Sequence, residues 1–198
     1  MTASRVPSLF AIAALFAWGG KGSDTLAFIV FFLAAITDFF DGWLARRMGI
    51  VSNFGKLMDA LTDKILNIGM MIFLLVYPTS APLLPSWCVF LVVIVLVREL
   101  LITGLRLVAA SCDLVLSAER SGKIKTVLQI FAIGLFLFVR ALETDFGFSP
   151  AIIENARLGA LFAFSLATVL TVTSGVGYLI KYWHVFMSEP PPSPRGKS

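Results

Sequence analysis

Apolar runs alternate with short polar breaks along almost the whole chain. Runs long enough for membrane-crossing helices fall at about 4–19, 25–47, 55–77, 85–110, 122–142 and 156–186. A crossing helix needs about 20 mostly apolar residues. The first run is short in its apolar part, and the last is long and adds only hydrophobic pattern. The breaks "GGKGSD", "RRMGIVSN", "YPTSAPLLP", "SCDLVLSAERSG" and "ETDFGFSP" carry the glycine, proline and small polar residues expected of turns. The pattern predicts an all-α, polytopic membrane protein with six transmembrane helices over residues 1–187. The Pro/Ser-rich stretch "SEPPPSPRGKS", 188–198, reads as a disordered polar tail. Similar apolar runs follow the first, so it reads as a span and not as a cleaved leader. No internal repeat is evident.

Composition agrees. Of 198 residues, 58% are hydrophobic and only 14% charged, against about 25% charged in a soluble domain. Cys88 and Cys112 have no metal-ligand spacing and His184 is the only histidine, which argues against zinc, haem and Ser-His-Asp chemistry. The net charge of +4 is spread among the breaks, which points to topology and anionic lipid or phosphate contacts, with no nucleic-acid partner. With six spans, Arg5, Arg46, Arg47, Lys56, Arg106, Arg120, Lys123, Lys125, Lys181, Arg195 and Lys197 fall on one side. Lys21, Arg140 and Arg157 fall on the other, and Lys64 and Arg98 lie within spans. This bias places both termini in the cytoplasm of a cell (inner or plasma) membrane protein.

Five acidic residues lie inside the apolar segments: Asp38, Asp41, Asp59, Asp63 and Glu99. A carboxylate at the centre of a membrane helix costs at least about 2.5 kcal/mol, so such residues are functional candidates. The bland alternative is helix glue, such as a bridge between Arg98 and Glu99. Asp38, Asp41, Gly42 and Ala45 follow i, i+3, i+4, i+7, which is one helix face; Asp59 and Asp63 are i, i+4. Spans 2 and 3 share a short polar turn, so the two acidic faces can meet near the cytoplasmic surface. Converging carboxylates repel unless a cation lies between them. An all-oxygen donor set favours Mg²⁺ or Mn²⁺, with Ca²⁺ a further option, and four carboxylates suffice for two divalent cations. Gly42, Ala45 and Gly55 leave space for a bulky phosphate-bearing ligand, although small residues also serve tight helix packing. Arg46, at the rim of that face, suits a diphosphate, and Arg47 reads as a topology anchor.

The spaced pattern Asp38-x2-Asp41-Gly42-x2-Ala45-Arg46-x8-Gly55-x3-Asp59-x3-Asp63 resembles the signature of the CDP-alcohol phosphatidyltransferase family, and all eight positions match. The resemblance implies a six-span, often dimeric enzyme that uses two divalent cations. It would transfer a substituted phosphate from a CDP-linked donor to an alcohol and release CMP. It assigns Asp38, Asp41 and Asp59 as metal ligands. Asp63 would be both a metal ligand and the catalytic base that takes the acceptor hydroxyl proton. Gly42, Ala45, Arg46 and Gly55 would hold the cytidine diphosphate of the donor.

"RELLITGLR", 98–106, and "AERSGKIKTVLQ", 118–129, look like the bacterial phosphatidylglycerophosphate synthase branch of that family. The branch implies CDP-diacylglycerol as donor and sn-glycerol 3-phosphate as acceptor. Arg98, Arg106, Lys123 and Lys125 suit an acceptor phosphate, with positive-inside anchoring as the plainer reading of the two lysines. The branch's Asn-Pro-Asn-x-Leu-Thr-x-x-Arg-like lead is represented here only by Thr2 and Arg5, so either the assigned start is late or the lead is truncated. The resemblances cover about residues 2–130. The alternatives are the same chemistry on inositol phosphate, serine or phosphatidylglycerol, and a non-enzymatic divalent-cation carrier.

Overall fold

A computed structural model describes the backbone of residues 5–48, 53–77, 83–111 and 120–187, and side chains within 6–37, 62–77, 83–109 and 124–183 apart from Asp63. The described residues form six helices and no strand: α1 (Arg5–Trp18), α2 (Ser23–Met48), α3 (Asn53–Val76), α4 (Cys88–Ser111), α5 (Arg120–Thr144) and α6 (Pro150–Met187). The tail at 188–198, Thr2 and Cys112 lie outside the described residues.

All six helices contribute to one apolar core, represented by Ile12, Phe31, Met70, Val92, Ile133 and Phe164. α5 packs on α6 and α2, α1 on α2 and α3, and α4 on α6 and α3. Close approach is set by small residues. A Cβ at Gly69 of α3 would stand 2.7 Å from Leu9 Cδ2 of α1. Such clearance lets membrane helices gain dispersion contacts where no hydrophobic effect drives association. The outer faces are also apolar: Phe90, Phe162 and Ile180 are more than 70% exposed. An outward face of this kind needs lipid around it.

Three helices contain apolar stretches long enough to cross a membrane: Cys88–Ala109, Ile124–Thr144 and Pro150–Trp183. Among the described residues, the apolar stretches of the others are shorter, Val6–Trp18, Ser23–Thr37 and Lys64–Val76. Among the described residues, three of the six expected spans are therefore met in full by length and composition. α2 and α3 continue beyond their apolar stretches into the halves nearest their shared connection, which carry Asp38, Asp41, Arg46, Arg47, Lys56, Asp59 and Asp63. These two helices are 26 and 24 residues long, so at about 1.5 Å per residue they still have the reach of a span.

The α5–α6 connection differs from the sequence expectation. α6 begins at Pro150, several residues before the predicted start at 156. Ser149 C=O accepts from the N–H groups of Ile152 and Ile153. Proline at the first helical position sacrifices only an N–H that would have had no partner. The turn therefore opens the helix where it was read as a break.

This connection meets the α1–α2 turn. α1 ends on Gly19, which donates its N–H to Leu15 C=O at 3.3 Å and turns the chain out of the helix with a φ of 62°. This is a left-handed cap that a side chain would strain. Gly22 (φ 81°) then leads into α2. Asp145, just beyond α5, caps α2 from across the fold. Its Oδ1 accepts from Gly22 N–H at 2.8 Å, and its Oδ2 accepts from Thr25 N–H at 2.8 Å and the Thr25 hydroxyl at 2.6 Å. A carboxylate here satisfies orphan helix donors and faces the positive end of the helix dipole. Burial pushes the Asp145 carboxyl up. The Thr25 hydroxyl, the Thr25 and Gly22 N–H groups and the Arg140 charge outweigh this and hold it below its ordinary 3.8. Asp24 of the same turn pairs with Arg140 at 3.3 Å and accepts from the Thr144 hydroxyl. Glu143 pairs with Arg157 at 3.1 Å, which ties α5 to α6.

Candidate active site

α2 carries Asp38, Asp41, Gly42, Ala45 and Arg46 in its second half, and α3 carries Gly55, Asp59 and Asp63 in its first half. The predicted i, i+3 and i, i+4 spacings therefore fall within continuous helix. The side chains of these eight residues lie outside the described residues, as does that of Lys123 in the first turn of α5. The helical register places Asp59 and Asp63 in line with Asn67, one turn further along α3. Asn67 is buried and lines a cleft between α3, α4 and α5, together with Lys64, Glu99, Thr126 and Gln129. The acidic half of α3 thus leads into a polar interior.

Glu99 organises that interior. It is buried on α4 and receives cations from three helices. Lys64 of α3 donates to Oε2 at 3.1 Å, Arg98 to Oε1 at 3.2 Å, and Lys125 of α5 also reaches Oε1. In a low-dielectric interior such pairs persist only when the acid is closely surrounded by donors. Lys125, 5% exposed in its side chain, is thus committed to the interior. This removes the reading of Lys125 as a simple surface anchor. The Arg98–Glu99 bridge weighed as helix glue is present, but it is one arm of a larger cluster.

The other predicted phosphate-binding residues on α4 lean on α6. Arg98 donates from Nη2 to Ser174 Oγ at 2.9 Å. Arg106 donates from Nε to Tyr178 Oη at 3.3 Å, and its guanidinium lies over the Tyr178 ring, 5.0 Å from the centroid. Tyr178 is almost fully buried. The last helix therefore supplies polar partners to the site, where the sequence pattern offered only hydrophobicity. Gln129 of α5 donates to Thr171 of α6 at 2.9 Å, and Thr171 in turn bonds its own helix at Ala167 C=O.

The structure thus draws Arg98 and Lys125 together at Glu99 and sets Arg106 two turns beyond Arg98 on the same helix. The sequence reading did not single out Lys64, Ser174 and Tyr178. Lys64 follows Asp63 inside an apolar run, which is a usable signal. Ser174 and Tyr178 had none: a serine in a membrane helix can bond its own backbone, as Ser174 does to Thr171 C=O at 3.1 Å, and a tyrosine blends into the apolar pattern. Among the described residues, no group of three or more His, Cys, Asp or Glu residues forms a metal-binding cluster.

Comparison with known proteins gives a consistent result. A family model described as CDP-alcohol phosphatidyltransferase matches residues 1–172. A Bacillus subtilis protein named CDP-diacylglycerol–glycerol-3-phosphate 3-phosphatidyltransferase is 37% identical over 155 residues, which are 78% of this chain and 72% of that protein. A Rickettsia felis protein of the same name is 34% identical over 137 residues, 69% of this chain and 72% of that one. A Mycobacterium tuberculosis protein named probable phosphatidylglycerophosphate synthase is 34% identical over 172 residues, 86% of this chain and 73% of its own length. The match takes in α1 to α5 and α6 as far as residue 172, and so includes both acidic helix halves and the Glu99 cluster. This chain belongs to the CDP-alcohol phosphatidyltransferase family.

Proposed function

We propose that this membrane enzyme transfers the phosphatidyl group of CDP-diacylglycerol to sn-glycerol 3-phosphate, giving phosphatidylglycerophosphate and CMP. One observation carries the reading. The complete eight-position signature lies on α2 and α3 in a chain 37% identical to a relative named for this reaction. The cationic residues on α4 and α5 add support, because the acceptor is itself a phosphate.

The residues' own chemistry gives the steps. Arg46, with the space left by Gly42, Ala45 and Gly55, holds the donor diphosphate. Arg98 and Arg106, with Lys123 and Lys125, attract and orient the acceptor phosphate. Asp63 takes the proton from the acceptor hydroxyl as its oxygen bonds to the phosphatidyl phosphorus. The bond from that phosphorus to the CMP oxygen breaks, and CMP leaves with the electron pair. The donor set fits divalent cations: four carboxylates on two consecutive helices, at helical spacings that keep each pair on one face. Asp38, Asp41, Asp59 and Asp63 would hold two Mg²⁺ or Mn²⁺ ions, which when bound supply charge neutralisation at the diphosphate. The basic-residue bias supports termini and active site on the cytoplasmic side of the cell membrane. A homodimer follows from the family resemblance.

The test is CMP release by purified protein given CDP-diacylglycerol, glycerol 3-phosphate and Mg²⁺ or Mn²⁺. A panel of serine, inositol phosphate and phosphatidylglycerol controls the acceptor. Asp63→Asn should lower the rate by about 10²-fold or more, and chelation should abolish it until metal is returned. CMP release that prefers another acceptor, or that is unchanged in Asp63→Asn, would overturn the corresponding part of the proposal.

A further inference from the structure

Arg98 approaches α6 more closely than a side chain on α6 would permit. A Cβ built on Gly175 would meet Arg98 Cγ at 2.8 Å and Nε at 2.9 Å. The first contact involves the stem of the arginine, so rotating the guanidinium cannot relieve it. On the preceding residue, Ser174 Oγ accepts from Nη2 at 2.9 Å. Nη1 is held by Glu99 at 3.2 Å, while the buried Nε has no hydrogen-bond partner among the described residues. Two turns along α4, Arg106 is held against Tyr178 of the same α6 segment. Both arginines are thus laid along one stretch of α6, and at Gly175 that stretch leaves no room for a side chain beside Arg98, whereas a Cβ at Gly177 would meet nothing within 4 Å.

We infer that Gly175, together with Ser174, is a positioning residue for acceptor recognition. The missing side chain lets Arg98 lie across α6, and the Ser174 hydroxyl fixes the direction in which its guanidinium points. The inference rests on the proposed function, in which Arg98 attracts the acceptor phosphate. A lipid-linked donor held by α2 and α3 does not depend on this contact. The expected signature is therefore selective, confined to the affinity for glycerol 3-phosphate.

The experiment is a double-mutant cycle on the full-length protein in detergent, read as KM for each substrate and kcat from CMP release. Gly175→Ala should raise KM for glycerol 3-phosphate about tenfold, as expected for a displaced charge-assisted contact, and leave KM for CDP-diacylglycerol within about twofold. Arg98→Ala removes the clashing Cγ, so the Arg98→Ala/Gly175→Ala variant should match Arg98→Ala alone. Ser174→Ala, which introduces no clash, should raise the same KM about threefold and be equally silent beside Arg98→Ala. That arm decides the matter if Gly175→Ala does not fold. An unchanged acceptor KM overturns the inference. So do multiplying effects in the double variants, or a loss confined to kcat, because a merely structural role would act without Arg98. Wild-type protein inactive with glycerol 3-phosphate would instead overturn the functional proposal.

Discussion

Replacing Glu99 with glutamine tests whether the cation cluster holds the bundle together. Glu99 is buried, with its side chain 10% exposed, and joins α4 to Lys64 of α3 and Lys125 of α5, with Arg98 beside it. Glutamine keeps the shape and one acceptor oxygen. It turns the second oxygen into an amide donor that faces a cation and removes the charge that offsets all three. A hydrogen bond to a charged group contributes about 1.5–3 kcal/mol, but three such bonds sharing one carboxylate do not add. Breaking a buried ion pair from one side costs about 3–5 kcal/mol. The lower end applies here because glutamine still accepts one bond, so the expected loss is about 3 kcal/mol. For a chain of this size that corresponds to a fall in apparent Tm of about 6–12 °C. Tryptophan fluorescence during heating in detergent measures it, with wild type and variant compared at one scan rate because unfolding of such proteins is commonly irreversible. Glu99→Leu is the informative control. It fills the space without an acceptor and should be worse than glutamine. A glutamine variant within about 2 °C of wild type would refute the reasoning, since the three cations would then be stabilised by other groups.

Two further predictions concern the packing away from the acidic helices. Gly69→Ala places a methyl group 2.7 Å from Leu9 Cδ2, so the Leu9 side chain must repack or α1 must shift from α3; overpacking of this kind costs about 1–3 kcal/mol, the lower end if Leu9 rotates, and should lower the apparent Tm with little change in KM for either substrate. Asp145→Asn weakens the cap on α2. The folded carboxyl is held below 3.8, so its stabilisation is present above the unfolded value of about 3.9 and is lost as pH falls through the lower folded value. The Tm gap between wild type and Asp145→Asn should therefore be constant at neutral pH and close in the acid range; a gap that widens on acidification would contradict the sign.

The acidic helix halves were legible because the membrane makes every buried charge expensive. Asp38, Asp41, Asp59 and Asp63 could be found from their cost and spacing, before any helix was placed. The helix contacts were not legible in the same way. The pairing of Asp145 with the N-terminus of α2 crosses 120 residues, and no local pattern announces it. Gly175 lies in a long apolar run with no local pattern to mark it, and its meaning comes from the arginine that occupies its missing side chain's place. Pro150 was read as a break because proline ends helices more visibly than it begins them.

Glu99 draws the sharpest distinction. By composition it belongs with the four aspartates, as a fifth acid in an apolar segment. Its surroundings separate it: three basic side chains meet its carboxylate, one each from α3, α4 and α5. An acid so enclosed has little capacity left for a metal or a substrate, and its natural role is to fix the cations that other chemistry uses. Its neighbour Arg98 shows the consequence. One nitrogen is fixed by Glu99 and another by Ser174, so the direction of the guanidinium is set by two helices at once. Under the proposed function, a cation held in this way would contribute orientation as well as charge to acceptor recognition. Shifting α6 relative to α4 should therefore change acceptor selectivity before it changes the rate of the transfer itself.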